Sequence, residues 1–171
     1  MGKQCFFNEI MADIIQYHLH NQERWFGASG GQVGPGLQTS LLGYRVTTGG
    51  TADTFGTPIQ IFNGSETPAQ PGMHFFDFRR IQTINAQNAN KTYRLRVAYN
   101  LNGETSYAAA VANNNFSDLC FTLTSNAAQA FPFEFWCPRL PSGTKIWVAI
   151  ASADSAAQWV DFLVGLHEYT Q

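Results

Sequence analysis

At 171 residues the chain has the length of one domain with a core of its own, and 44% of it is apolar. Charged residues make up 13%, about half the usual share, with neutral amides, hydroxyls and alanine in their place. A net charge of −2 and an isoelectric point near 6.0 exclude the basic footprint of a protein that binds nucleic acid or an anionic membrane.

In chain order, Cys5 to about Arg24 predicts one helix. Phe7, Ile10, Met11, Ile14, Ile15 and His18 recur at spacings of three and four and form a broad apolar stripe. Glu9 and Asp13 lie early and His18, His20 and Arg24 late, as the helix dipole prefers. Gly27 is a suitable stop. The stripe either lies on the chain's own sheet or, with Trp25 and Phe26, packs against other subunits or a partner. Residues 1–27 are thus expected to be an amphipathic docking or oligomerisation helix, 28–38 a glycine-rich linker, and 39–171 the main domain. The linker is no phosphate loop. Such a loop needs Lys-Ser/Thr after its last glycine, and here Leu37-Gln38 follows Gly36.

Beyond the linker come short runs with strand character: Leu41–Val46, Thr57–Phe62, His74–Ile84, Thr92–Leu101, Thr105–Val111, Phe116–Thr124 and Phe131–Cys137. Gly- and Asn-rich turns separate them, and Asn102-Gly103 reads as a hairpin turn between two of them. A final pair follows. Ile146, Val148 and Ile150 share one face of the first strand, and Val160, Phe162, Val164 and Leu166 one face of the second. About eight or nine strands after one helix predict a mainly β fold, an antiparallel β-sandwich of jelly-roll-like form. Fourteen Phe, six Tyr and four Trp suit such pleated surfaces.

Candidate chemistry is sparse. His18 and His20, two apart on a helix, point nearly opposite ways, and adjacent His167 and Glu168 face opposite sides of a strand. Asp77, Glu104, Asp118, Glu134 and Asp161 are paired by no pattern, and no Gly-x-Ser-x-Gly elbow occurs. The expectation is a non-enzymatic protein without cofactor or metal. Three cysteines with no close spacing give neither a disulfide framework nor a zinc site. Cys120 and Cys137 read as small buried hydrophobes, with a bridge between them left open. The start of the chain lacks the pattern of a secretory leader, so synthesis in a cytoplasm is expected. No apolar run reaches membrane-spanning length.

Charges inside apolar strands point to a surface. Arg94 and Arg96 share a face opposite Tyr93, Leu95 and Val97. Asp161 shares its face with Trp159 and Leu163, and a Trp and a Leu on an outer sheet face need cover. The expected interface therefore comprises Ile10, Met11, Ile14, Ile15, Trp25, Phe26, Arg94, Arg96, Trp159 and Asp161. A rival reading is a carbohydrate- or receptor-binding module. There Trp136 and Phe116 would stack on sugar rings, and loops 85–90 and 113–115 would supply amide hydrogen bonds.

The end of the helix, Glu23-Arg24-Trp25-Phe26-Gly27, leads through the glycine-rich linker into an Asn/Gln/Thr-rich sandwich. The sandwich closes on Pro138-Arg139-Leu140-Pro141-Ser142-Gly143-Thr144-Lys145-Ile146-Trp147 and Asp161-Phe162-Leu163-Val164-Gly165-Leu166-His167-Glu168-Tyr169. In this the chain resembles small virion structural proteins of tailed bacteriophages, of the capsid decoration (cement) or head-fibre type. The resemblance implies a virion protein, made in the host cytoplasm, that forms a homo-oligomer with a trimer favoured. Its partner would be another virion protein such as the major capsid protein.

Overall fold

The computed structural model of the chain describes residues 24–27, 32–33, 43–65, 72–124, 132–154 and 156–170. Among these lie strands β1 (Arg24–Phe26), β2 (Gln32–Val33), β3 (Tyr44–Thr47), β4 (Ile59–Phe62), β5 (Phe75–Ala86) and β6 (Lys91–Tyr99). A short helix, α1 (Tyr107–Ala112), follows, and then β7 (Phe116–Leu123), β8 (Phe133–Glu134), β9 (Leu140–Pro141), β10 (Ile146–Ser152) and β11 (Trp159–Tyr169).

All pairings are antiparallel, in two sheets that make a β-sandwich. The larger sheet is built around β11. One edge of β11 runs along β5 from Val160↔Ala86 to Tyr169↔Phe75. Its other edge is shared by β3, opposite Trp159 to Phe162, and β1, opposite Val164 to Leu166. β2 lies outside β1, and β8 and β9 pair with the far edge of β5. The smaller sheet has the order β4-β10-β6-β7.

Alternation decides what each strand buries. On β6, Tyr93, Leu95 and Val97 turn inward and Arg94 and Arg96 outward, because successive side chains leave opposite faces. On β11, Val160, Phe162, Val164 and Leu166 enter the core. Phe62 of the smaller sheet meets Phe26 and Phe78 of the larger, with ring centroids 5.4 and 6.0 Å apart. Full burial of each such ring is worth about 1.5–3 kcal/mol. At one end of the core, Arg24 Nη1 donates to both carboxylate oxygens of Glu168, at 2.7 and 2.9 Å. This couples β1 to the last turn of side chains on β11.

Several expectations are corrected. The helix beginning at Cys5 lies outside the described residues up to Arg24, and Arg24 is strand. Period-two alternation drives Arg24 and Phe26 inward and Trp25 outward, so Phe26, 2% exposed, belongs to the core and not to an interface. The sandwich therefore already includes Arg24–Phe26, ahead of residue 39. Within the supposed linker, Gln32–Val33 pairs with β1. Thr105–Val111 contains a helix, not a strand: the Ser106 hydroxyl caps it by accepting from Ala109 N at 3.3 Å, and the alanine run has the highest helix propensity. Asn102-Gly103 accordingly leads from β6 into α1 instead of closing a hairpin. Among the described residues of Phe131–Cys137, only Phe133–Glu134 is strand. β10 and β11, whose pairing the sequence leaves open, lie in different sheets. Cys120 is exposed, and both it and Cys137 are free thiols.

Candidate interaction surface

The outer face of the smaller sheet is a stack of guanidinium and aromatic planes. Phe55 comes from the loop joining β3 to β4, which is fastened along β10 by Asp53 N to Ser152 O (2.7 Å) and Gly56 N to Ile150 O (3.0 Å). Gly56 is required there, since a Cβ would sit 1.8 Å from Thr47 O. Held in this way, Phe55 lies 4.7 Å from the Arg94 guanidinium and 4.6 Å from that of Arg96. Arg96 also covers Phe116 at 3.9 Å and makes a two-pronged bond to Asp118, both contacts 2.7 Å. Bonding to Asp118 raises the pKa of the Arg96 guanidinium further. Arg94 makes no ion pair among the described residues. It lines a cleft of about 150 Å3 with Asp53, Thr92, Cys120 and Ser152.

The outer face of the larger sheet repeats the chemistry. Arg45 lies 4.0 Å over the Trp159 ring and grips Asp161 with two bonds of 2.8 Å. Leu163 and Ile84 pack beside it against Trp25, so the cover expected over Asp161, Trp159 and Leu163 comes partly from β1 and β3 of the same chain. Arg79 lies 4.9 Å from the ring of Trp136, which is 77% exposed. Arg139 lies 4.1 Å over Tyr169, whose hydroxyl donates to Asp77 Oδ2 at 2.6 Å. Burial, with the Asp77 charge added, pushes the Tyr169 phenol up to about 12. Asp77 Oδ1 is buried with no hydrogen-bond partner among the described residues.

The Asn-rich 113–115 loop serves a structural purpose. Glu104 accepts from Asn113 Nδ2 (2.9 Å), Asn102 N (2.8 Å) and Asn115 Nδ2 (2.6 Å), and these donors hold its carboxyl down to about 2. Two of the amides assigned to sugar recognition are therefore occupied. The Cys137 thiol is pushed up to about 12 by burial, so it is inert as a nucleophile near neutrality.

The structure thus brings Arg94 and Arg96 together on one face, and Trp159 with Asp161 on the other. Ile10, Met11, Ile14 and Ile15 lie outside the described residues. The sequence marks Arg79, with Asp77, as a charge inside an apolar strand, but sequence reasoning missed Phe55, Arg45 and Arg139, the partners that turn single outward residues into stacks. Alternation marks Arg45 as outward, but nothing local announces which ring lies beneath it. No protein-family model matches the chain, and no curated protein matches it in sequence.

Proposed function

We propose that the protein is a non-enzymatic virion structural protein, a homo-oligomeric, jelly-roll-like sandwich that binds and stabilises the surface of a phage capsid or related virion. Its partner would be the major capsid protein or another shell component. The observation that supports this reading is the outward Arg–aromatic stacking on both sheets. Seven guanidinium–ring contacts occur among the described residues, one of them in the core and the other six on the outer faces. Arg, Trp, Tyr and Phe are the side chains that anchor protein–protein contacts, and their planar groups lose little entropy when covered. Repeated over a lattice, modest contacts of this kind sum through multivalency.

The test is co-sedimentation of the purified protein with capsid shells stripped of accessory proteins, followed by a heat-disruption assay of the shells. The protein is expected to pellet with the shells and to raise their disruption temperature, and Trp136→Ala is expected to weaken pelleting. Shells that neither bind the protein nor gain stability would overturn the reading.

Trp136 favours a second reading. Arg79 approaches its ring, yet the side chain stays 77% exposed, so much of it is open to stack on a sugar. Specific binding on a glycan array, lost in Trp136→Ala, would establish the carbohydrate-binding module instead.

A further inference from the structure

The smaller sheet has two edges, and they are unlike. β4 has four residues, follows Pro58, and pairs with β10 through an irregular register, all features that blunt an edge. β7 has eight residues in unbroken register with β6, with neither proline nor lysine and with Asp118 as its one charge. Among the described residues nothing pairs with its second edge.

The ladder shows which groups that edge offers. Tyr99 N donates to Asn115 O at 3.0 Å, so the odd-numbered residues of β6 turn their backbone groups toward β7. Thr92 O, accepting from Ala153 N, confirms that even-numbered residues turn toward β10. On β7 the N–H and C=O of Ser117, Leu119, Phe121 and Leu123 are then spent on β6. Those of Phe116, Asp118, Cys120 and Thr122 point out of the sheet.

We propose that β7 is a self-association edge, pairing antiparallel with β7 of a second copy about a twofold axis at Leu119. Three observations select this occupant and register. Asp118 and Cys120 of the other copy become opposite neighbours, as do Phe116 and Thr122, and every outward backbone group gains a partner. On the inner face, Leu119 meets Leu119 of the second copy. On the outer face, one row reads Arg96, Asp118, then Cys120 and Arg94 of the second copy, and small Cys120 leaves room for that Arg94 to reach toward Asp118. The guanidinium that lacks an ion pair among the described residues of one copy thus finds a carboxylate in the other. The contact is isologous, so it closes on itself as a dimer or joins two higher oligomers into one particle. It does not rest on the virion reading and would stand for a chain that never meets a capsid.

The test is light scattering on the full-length protein beside Cys120→Pro. The Cys120 N–H faces outward, so proline there removes an edge donor while leaving the β6 ladder whole. The variant is expected to show half the wild-type mass, and equal masses would overturn the proposal. Amide exchange on the wild type guards against a misfolded variant. Asp118, Cys120 and Thr122 amides are expected to be protected at high concentration and to lose protection on dilution. Fast exchange throughout, or protection that ignores concentration, would show an open edge or one covered by its own chain, and either result sinks the proposal. The register is read by Asp118→Cys. Directly opposed residues of a hydrogen-bonded pair have Cα atoms about 5.5 Å apart, within disulfide reach. Oxidation should therefore link the introduced thiol to Cys120 of the second copy, giving a covalent dimer that the wild type does not form. Absence of the link, or equal linkage in the wild type, overturns the register.

Discussion

The Arg24 guanidinium reaches Glu168 from the first described strand to the last, and both charges have left water, with 5% and 4% of each residue still exposed. Arg24 Nε has no hydrogen-bond partner among the described residues, so the pair is incompletely satisfied and its net worth is small. Breaking it is a different matter, because the surviving charge stays buried. Glu168→Ala alone is expected to cost about 3–5 kcal/mol in urea unfolding, whereas Arg24→Met combined with Glu168→Leu should recover most of the loss. Glu104 contributes in a pH-dependent way. Its carboxyl is held from an ordinary 4.5 down to about 2, so its contribution is complete above pH 4.5 and disappears as pH falls toward 2. Thermal melts between pH 6 and 2 should drop more steeply for the wild type than for Glu104→Gln. Equal slopes would mean that the amide cage around Glu104 adds no stability.

Among the elements, β10 shows why strand patterns are easier to read than their surroundings. Its alternation was plain, yet all seven of its residues are buried. The outer face is covered by the fastened loop carrying Phe55 and by α1, where Ala110 packs with Trp147 and Ala98. Gly56→Ala is therefore expected to lower stability by about 2–3 kcal/mol through the forced shift at Thr47, measured by thermal melting, although residue 56 lies in a loop. Most strand positions and the inward faces of β6 and β11 were legible, since period two is written in the side chains themselves. Strand neighbours were not. β10 and β11 are consecutive, but the chain crosses between sheets at Ala153–Gln158, where Thr48 N donates to Gln158 O at 2.8 Å. α1 was missed because apolar spacing outweighed its alanine content and its Ser106 cap. The site divided likewise: Arg94 and Arg96 could be placed on one face from sequence, while Phe55, some forty residues distant, could not.

For the whole molecule, the placement of Arg24 and Phe26 decides where the chain can be cut. A form beginning at residue 31 loses β1, leaves Glu168 buried without its cation, and empties the space that Phe26 fills against Phe62. It is expected to be unfolded or loosely packed by near-UV circular dichroism and dye binding. A form spanning 24–171 keeps these contacts and should give a native spectrum. If the sequence-based amphipathic stripe of Ile10, Met11, Ile14 and Ile15 is what engages the capsid, this shorter form should fold normally and fail to co-sediment with shells. Equal unfolding of both forms would show that residues before Arg24 are needed for the sandwich itself.

β11, described above as the centre of the larger sheet, also sets the tempo of folding. Its partners β1, β3 and β5 are all synthesised before residue 87, and Arg24 waits 144 positions for Glu168. During translation these strands hold their apolar faces and bare edges without the strand that joins them, and a ribosome adds about 5–20 residues per second. Such long-range pairing places folding in the slow range, about milliseconds to seconds. The nascent chain is consequently most vulnerable to aggregation in the seconds before β11 emerges, and shielding by a chaperone would matter then rather than after release.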